Sequence, residues 1–289
     1  MLARSAHLLA AFAVLAAAFV RAEQPEGQPG PETMAERRLK DIAGHQQVLF
    51  ADAAAQGRDL DEAGFKTQVE QLSREYESLL RDNPKFAVGY ASYGYMLWKI
   101  SHRKQAAAIL LKANQLDPDI PLVKNELGNY LAEEGKPLEA LNYYLAAVRL
   151  DPKEPLYHYQ LGTLLYEARD DFLKSGEWSR ASIDHSMQEA FKNASEMAPG
   201  RIEFSYRYAE SFYDMQDPDW AAALKAWEGM EARATSQTER QTMRLHQANV
   251  LLNMGKPESA RKVLDTVTDP SLAAQKEKLA AQLGSAKDK

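Results

Sequence analysis

Prolines recur in this chain on a fixed period. Pro84, Pro118 and Pro152 stand 34 residues apart, and Pro199 follows after 47, one period plus 13. Proline cannot donate a hydrogen bond inside a helix and pushes the preceding residue out of helical conformation. Each one therefore closes a structural unit. An internal period of this length means that successive units stack on one another, each too small to bury its own apolar face.

The side chains within a period agree. Gly94, Gly128, Gly162 and Ala209 each lie ten residues after their proline. A residue this small lets a second helix approach closely. Tyr93, Leu127, Leu161 and Tyr208 precede it, and Leu97, Leu131, Leu165 and Phe212 follow three later. Together they form one buried helical stripe. A second helix is marked by Ala106, Leu110 and Ala113, and again by Ala140, Tyr144 and Ala147. That i, i+4, i+7 spacing shares one face. Gly135-Lys136-Pro137 and Gly255-Lys256-Pro257 read as turns between paired helices, because glycine suits a left-handed C-cap and proline the first turn of a helix. An uninterrupted heptad coiled coil would not tolerate such punctuation.

These residues resemble the tetratricopeptide repeat family, most strongly over 85–152. Tyr90, Lys124, His158 and Ser205 stand where that family usually has tryptophan. The resemblance implies an all-α fold, a right-handed superhelical solenoid of antiparallel helix pairs over 34–283. Its clearest repeats are expected at 87–120, 121–154, 155–201 with an insertion, 202–234 and 238–270, with a disordered tail at 284–289.

Residues 1–22 read as an address. Arg4 precedes an unbroken apolar run from Leu8 to Val20, and Val20-Arg21-Ala22 suits a signal peptidase. This is a secretory pattern, with cleavage expected after Ala22. The run is 13 residues long, against the ~20 that a spanning helix needs. No integral span is therefore expected in the mature chain, and an uncleaved leader would act as a tether. Residues 23–33, EQPEGQPGPET, have the composition of a flexible linker. The 289 residues contain no cysteine. That suits an oxidising compartment, the bacterial periplasm or the medium, where thiols would mispair. It also excludes thiolate chemistry and disulfides. A net charge of −6, becoming −8 once Arg4 and Arg21 leave, argues against nucleic acid as partner.

No catalytic constellation is present. No two of the six histidines have metal-pair spacing, and there is no phosphate-cradling glycine loop or nucleophile elbow. The expectation is a protein without catalytic residues, metal or cofactor. Binding is the better prospect. In this family the first helices line the concave side and receive a protein or peptide. The outward positions of those helices carry Tyr95, Trp98, Asn125, Asn129, Tyr159, Thr163, Tyr166, Tyr206, Glu210 and Tyr213. Tyrosine combines apolar area with a hydroxyl, and asparagine can pair with a peptide backbone. A basic clamp for a C-terminal carboxylate is absent, and Glu133, Glu167, Glu210 and Asp214 favour a neutral or basic segment. The competing reading is that several of these aromatics pack against the next repeat.

The 13 extra residues fall within 169–186 and carry Phe172 and Trp178 among charges. As a flap, these two would contact the partner; as a lengthened helix pair, they would cover their own repeat. The sequence thus points to an exported scaffold or adaptor holding a protein or peptide segment, in cell-envelope assembly or secretion. Two alternatives remain: a protein or enzyme that uses the aromatic groove on envelope polymers, and a self-assembling structural repeat. Oligomeric state is left open.

Overall fold

The structure, a computed structural model, describes residues 32–285. The leader expected at 1–22 and nearly all of the linker lie outside the described residues. Among the described residues there are fourteen α-helices and no strand. They divide into two compact units between Leu150 and Asp151.

The first unit holds α1 (Met34–Gln56), α2 (Glu62–Asp82), α3 (Ala87–Lys99), α4 (Arg103–Leu116), α5 (Pro121–Glu133) and α6 (Pro137–Leu150). The second holds α7 (Pro155–Glu167), α8 (Arg169–Ser175), α9 (Arg180–Met197), α10 (Ile202–Ser211), α11 (Trp220–Arg233), α12 (Gln237–Asn253), α13 (Pro257–Asp265) and α14 (Ala273–Ser285). Helix thus extends through Ser285, into the stretch expected to be a disordered tail. Leu283 is buried in the last core cluster and anchors that final turn.

Local signals set the helix ends. Proline opens α5, α6, α7 and α13, where its missing N–H has no intrahelical partner to lose. Thr33 and Ser236 form capping boxes with Glu36 and Glu239, and Asp219 accepts from the backbone of Ala221 and Ala222. Thr33 therefore belongs to α1 rather than to the linker.

The three glycines of the period lie at close helix contacts. A Cβ added to Gly94 would meet Leu110 Cγ at 2.6 Å, one on Gly128 would meet Tyr144 Cε1 at 3.0 Å, and one on Gly162 would meet Phe191 Cδ1 at 2.7 Å. Leu110 and Tyr144 are 34 residues apart, and Phe191 is one lengthened period further on. The same contact is built three times.

Lys136 N donates to Leu131 O and Gly135 N to Ala132 O, a left-handed cap with Gly135 at φ +71°. Gly255, at φ +68°, repeats it with Leu251 and Leu252. One period earlier the same two bonds form at His102 and Ser101, yet Ser101 carries a side chain at φ +63°. A left-handed non-glycine residue costs about 1–2 kcal/mol. Ser101→Gly is expected to stabilise the first unit by about 1 kcal/mol, read as a higher Tm. An unchanged or lower Tm would contradict this account of the turn.

The insertion is helix rather than loop. It consists of α8, a left-handed cap at Gly176, and a first turn of α9 begun by Ser179. Phe172 is fully buried and meets the Trp178 ring edge-on at 5.8 Å. Phe172 is thus core and not an exposed partner contact, because α8 lies down on its own repeat. Trp178 is half-buried over it.

Candidate functional site

In the first unit, the residues expected to face a partner are largely engaged by other side chains of the same unit. Asn125 is 0% exposed and Tyr95 is also buried, so neither is an outward position. The reason is that α3 and α5 pack side by side, which closes a second face on each first helix. Asn125 Nδ2 donates to Glu126 Oε1 at 3.1 Å, and Asn129 Nδ2 donates to Glu126 Oε2 at 3.0 Å. Tyr144 Oη then donates to Asn129 Oδ1 at 2.6 Å. Both amides therefore serve a carboxylate that is itself 3% exposed. Burial pushes the Glu126 carboxyl up from its ordinary range, against the pull of the two amides, Lys99 and Arg103. Burial lowers Lys99, whose ammonium lies over the Tyr95 ring, and Glu126 opposes that fall. Trp98 is half-buried beneath the Arg103 guanidinium, 4.0 Å from its ring, and Arg103 also reaches Glu133.

The second unit holds an open groove. It is lined by Tyr159 of α7 and by Ile202, Glu203, Tyr206, Arg207 and Glu210 of α10, and it encloses about 400 Å³. The spacing of residues 202, 203, 206, 207 and 210 is one continuous face of α10. Ile202 stands 50% exposed at its start. Tyr159 packs on Phe204 with ring centroids 4.6 Å apart and on Phe191 at 5.9 Å. The tyrosine is therefore held in place from behind before any partner arrives.

Arg207 organises the middle of the groove. Its guanidinium lies 3.8 Å from the Tyr166 ring centroid and donates to Glu210 Oε2 at 2.8 Å. Arg201 similarly holds Glu203 at 2.6 Å. The groove's acids each carry a basic neighbour, so the surface is closer to neutral than its carboxylates alone suggest. Burial pushes the Tyr159 and Tyr206 hydroxyls up, and both are protonated at neutral pH.

Of the residues singled out by sequence, Tyr159, Tyr206 and Glu210 share this groove, and Tyr166 flanks it through Arg207. Thr163 spends its hydroxyl on the Tyr159 carbonyl of its own helix. Tyr213 turns towards a ring cluster with Trp220, Trp227 and His246. Ile202, Glu203 and Arg207 were missed. Ile202 looked like a helix start, and nothing local marks an arginine that stacks on a tyrosine 41 positions earlier. Among the described residues there is no group of three or more His, Cys, Asp or Glu side chains able to hold a metal ion. None of the helices there is long and apolar enough to cross a membrane.

The tetratricopeptide repeat profile matches residues 123–154, from within α5 to just past α6. No curated protein matches the chain. Among solved structures, the chain is similar to YrrB, described as a TPR protein with an unusual peptide-binding site, at 15% identity and a TM-score of 0.55; the match covers 74% of this chain and 98% of that one. It is similar to pilF of Pseudomonas aeruginosa at 14% identity and a TM-score of 0.55, over 85% of this chain and 99% of the other. It also resembles Naa15/Naa10 bound to HypK-THB, at 16% identity and a TM-score of 0.56, covering 89% of this chain but 35% of that one. At these identities the likeness is one of fold, the helical repeat.

Proposed function

We propose that this protein is an exported scaffold, or adaptor, that holds a protein or peptide segment in the groove between α7 and α10. The groove itself carries the reading. It combines an exposed aliphatic side chain, two tyrosines braced from behind and an arginine fixed by stacking. Side chains held this way lose little entropy on binding, which favours affinity. Their paired charges favour a neutral or weakly basic segment that presents an apolar side chain to Ile202 and hydrogen-bond donors to the tyrosines and Glu210. The peptide-binding site of YrrB lends support as a precedent within the same fold. The leader pattern and the absence of cysteine support export, with cell-envelope assembly or secretion as the setting.

A photo-crosslinking residue placed at 202 tests this reading. In extracts of the source organism it should trap a discrete partner at defined stoichiometry. The same residue at 48, replacing Val48 on the exposed face of α1, should not. Tyr159→Ala should reduce the yield at 202 by about tenfold, the equivalent of about 1.4 kcal/mol of binding. Equal yields at 202 and 48 would refute the groove. Export has its own check: the mature N-terminus is expected at Glu23.

A further inference from the structure

Behind Tyr206 stands a histidine that no repeat signature marks. His246 lies on α12, on the face that meets α10 and α11. Its imidazole stacks on Trp227 with ring centroids 3.9 Å apart and planes 7° apart, and Trp227 is fully buried. Two tyrosine hydroxyls reach its two nitrogens. Tyr206 Oη lies 3.2 Å from Nε2, and Tyr213 Oη lies 3.5 Å from Nδ1. The Tyr213 hydroxyl is also 3.3 Å from the His246 carbonyl.

Either ring tautomer can meet the two hydroxyls, and the Tyr213 contact with the carbonyl favours one of them. The Tyr213 hydroxyl donates to the carbonyl, which can only accept. The Tyr213 oxygen can then accept at Nδ1, which matches the tautomer whose proton sits on Nδ1. In that tautomer Nε2 keeps its lone pair, and Tyr206 donates to it. Tyr206 has one proton, and in this arrangement it is committed to the histidine.

We propose that His246 determines the hydrogen-bond polarity that Tyr206 offers to an occupant of the groove, and that a proton on Nε2 reverses it. The inference rests on the groove reading above and adds its specificity. With His246 neutral, Tyr206 has only lone pairs to spare, and with Glu203 and Glu210 the groove selects segments bearing N–H or O–H donors. With His246 protonated, Nε2–H donates to Tyr206. The tyrosine proton is released, and the groove gains a donor suited to a carbonyl or carboxylate. A hydroxyl makes this exchange by rotation, with no movement of the backbone.

The surroundings favour the neutral form at neutral pH. Burial lowers His246 below its ordinary value, and Glu210 opposes the fall. The groups around the ring are Tyr206 and Glu210 from α10, Tyr213 from the turn after it, and uncharged Trp227 from α11. Glu231 of α11 is taken up by Arg244 and Gln247. On its other side α12 meets α13 and α14 through Leu245, Ala248 and Leu251, which are apolar. A histidine with a lowered folded value contributes stability above about pH 6.5 that is lost as pH falls from there through the folded value.

Nuclear magnetic resonance of the full chain, without any partner, tests the relay. At pH 8 the ring nitrogens should show the proton on Nδ1. On acidification, the Tyr206 ring and the Ile202 methyl should shift with the midpoint of His246, below about 6.5. In Tyr206→Phe, the Ile202 response at that midpoint should fall at least threefold while His246 still titrates. A proton on Nε2 at pH 8 would overturn the proposal, as would an Ile202 response undiminished in Tyr206→Phe. The tautomer is read on the unaltered protein, so the test survives even if the variant folds poorly. Failure of crosslinking at 202 with the relay intact would count against the groove alone.

Discussion

Asp184→Ala is expected to lower the stability of the second unit by about 3–5 kcal/mol, because it strips one partner from a buried charge cluster. Asp184 is 3% exposed. Its carboxylate accepts from Arg180 Nε at 2.9 and 3.0 Å and from the backbone of Gln216 at 2.8 Å, and it lies 3.3 Å from Arg169. Arg180 also donates to the Asp214 carbonyl. One carboxylate thus ties α8, α9 and the turn between α10 and α11 together. Removing it leaves the half-buried Arg169 without a carboxylate. For a unit of this size the loss should appear as a Tm lower by about 10 °C or more. Asp184→Asn, which keeps an acceptor for Gln216, should lose less. A shift under about 2 °C in Asp184→Ala would show that the insertion is not held by this cluster.

The second large effect is expected at the repeated glycine. Gly162→Val should destabilise by about 3 kcal/mol, the upper end for overpacking a filled site. The first added carbon already lies 2.7 and 2.8 Å from the Phe191 ring, and the ring cannot retreat because it packs against Tyr159. Gly94→Val should behave alike, since Leu110 contributes backbone as well as side chain, its N lying 3.3 Å away. Gly229→Ala serves as the opposite case. Position 229 lies within α11, and an added Cβ there meets nothing within 4 Å. Its substitution should stabilise by about 1 kcal/mol through helix propensity. Chemical denaturation of the three variants reads these differences as midpoint shifts. Equal losses at 162 and 229 would mean that the period encodes helix propensity and not close approach.

The repeated glycines and the Asp184 cluster differ in how much of them a sequence carries. The glycine contacts were legible because a repeat states the same geometric demand several times, at spacings that a 3.6-residue helix converts directly into faces. The Asp184 cluster was not, since its three anchoring segments are brought together only by folding of the insertion. The same limit explains Asn125 and Tyr95. Periodicity on one helix shows one buried face. These residues are buried on a second, created when neighbouring first helices lie side by side, and there Asn125 and Asn129 serve Glu126. Ser101 is a smaller instance, where a left-handed turn lacks the glycine that advertises it elsewhere.

The period, the small residues and the proline punctuation were enough to specify stacked helix pairs, because each pair must bury a stripe that its own residues spell out. They also placed Tyr159, Tyr206 and Glu210 on first helices. Which side chains remain available to a partner was decided by tertiary contact. Arg207 reaches back to Tyr166, Asn125 is consumed by Glu126, and His246 comes from two helices further along to claim the Tyr206 proton. Hydrogen bonds and ring stacks between distant segments leave no periodic trace in a chain, since each is made once, by residues whose separation is set by folding and not by the turn of a helix.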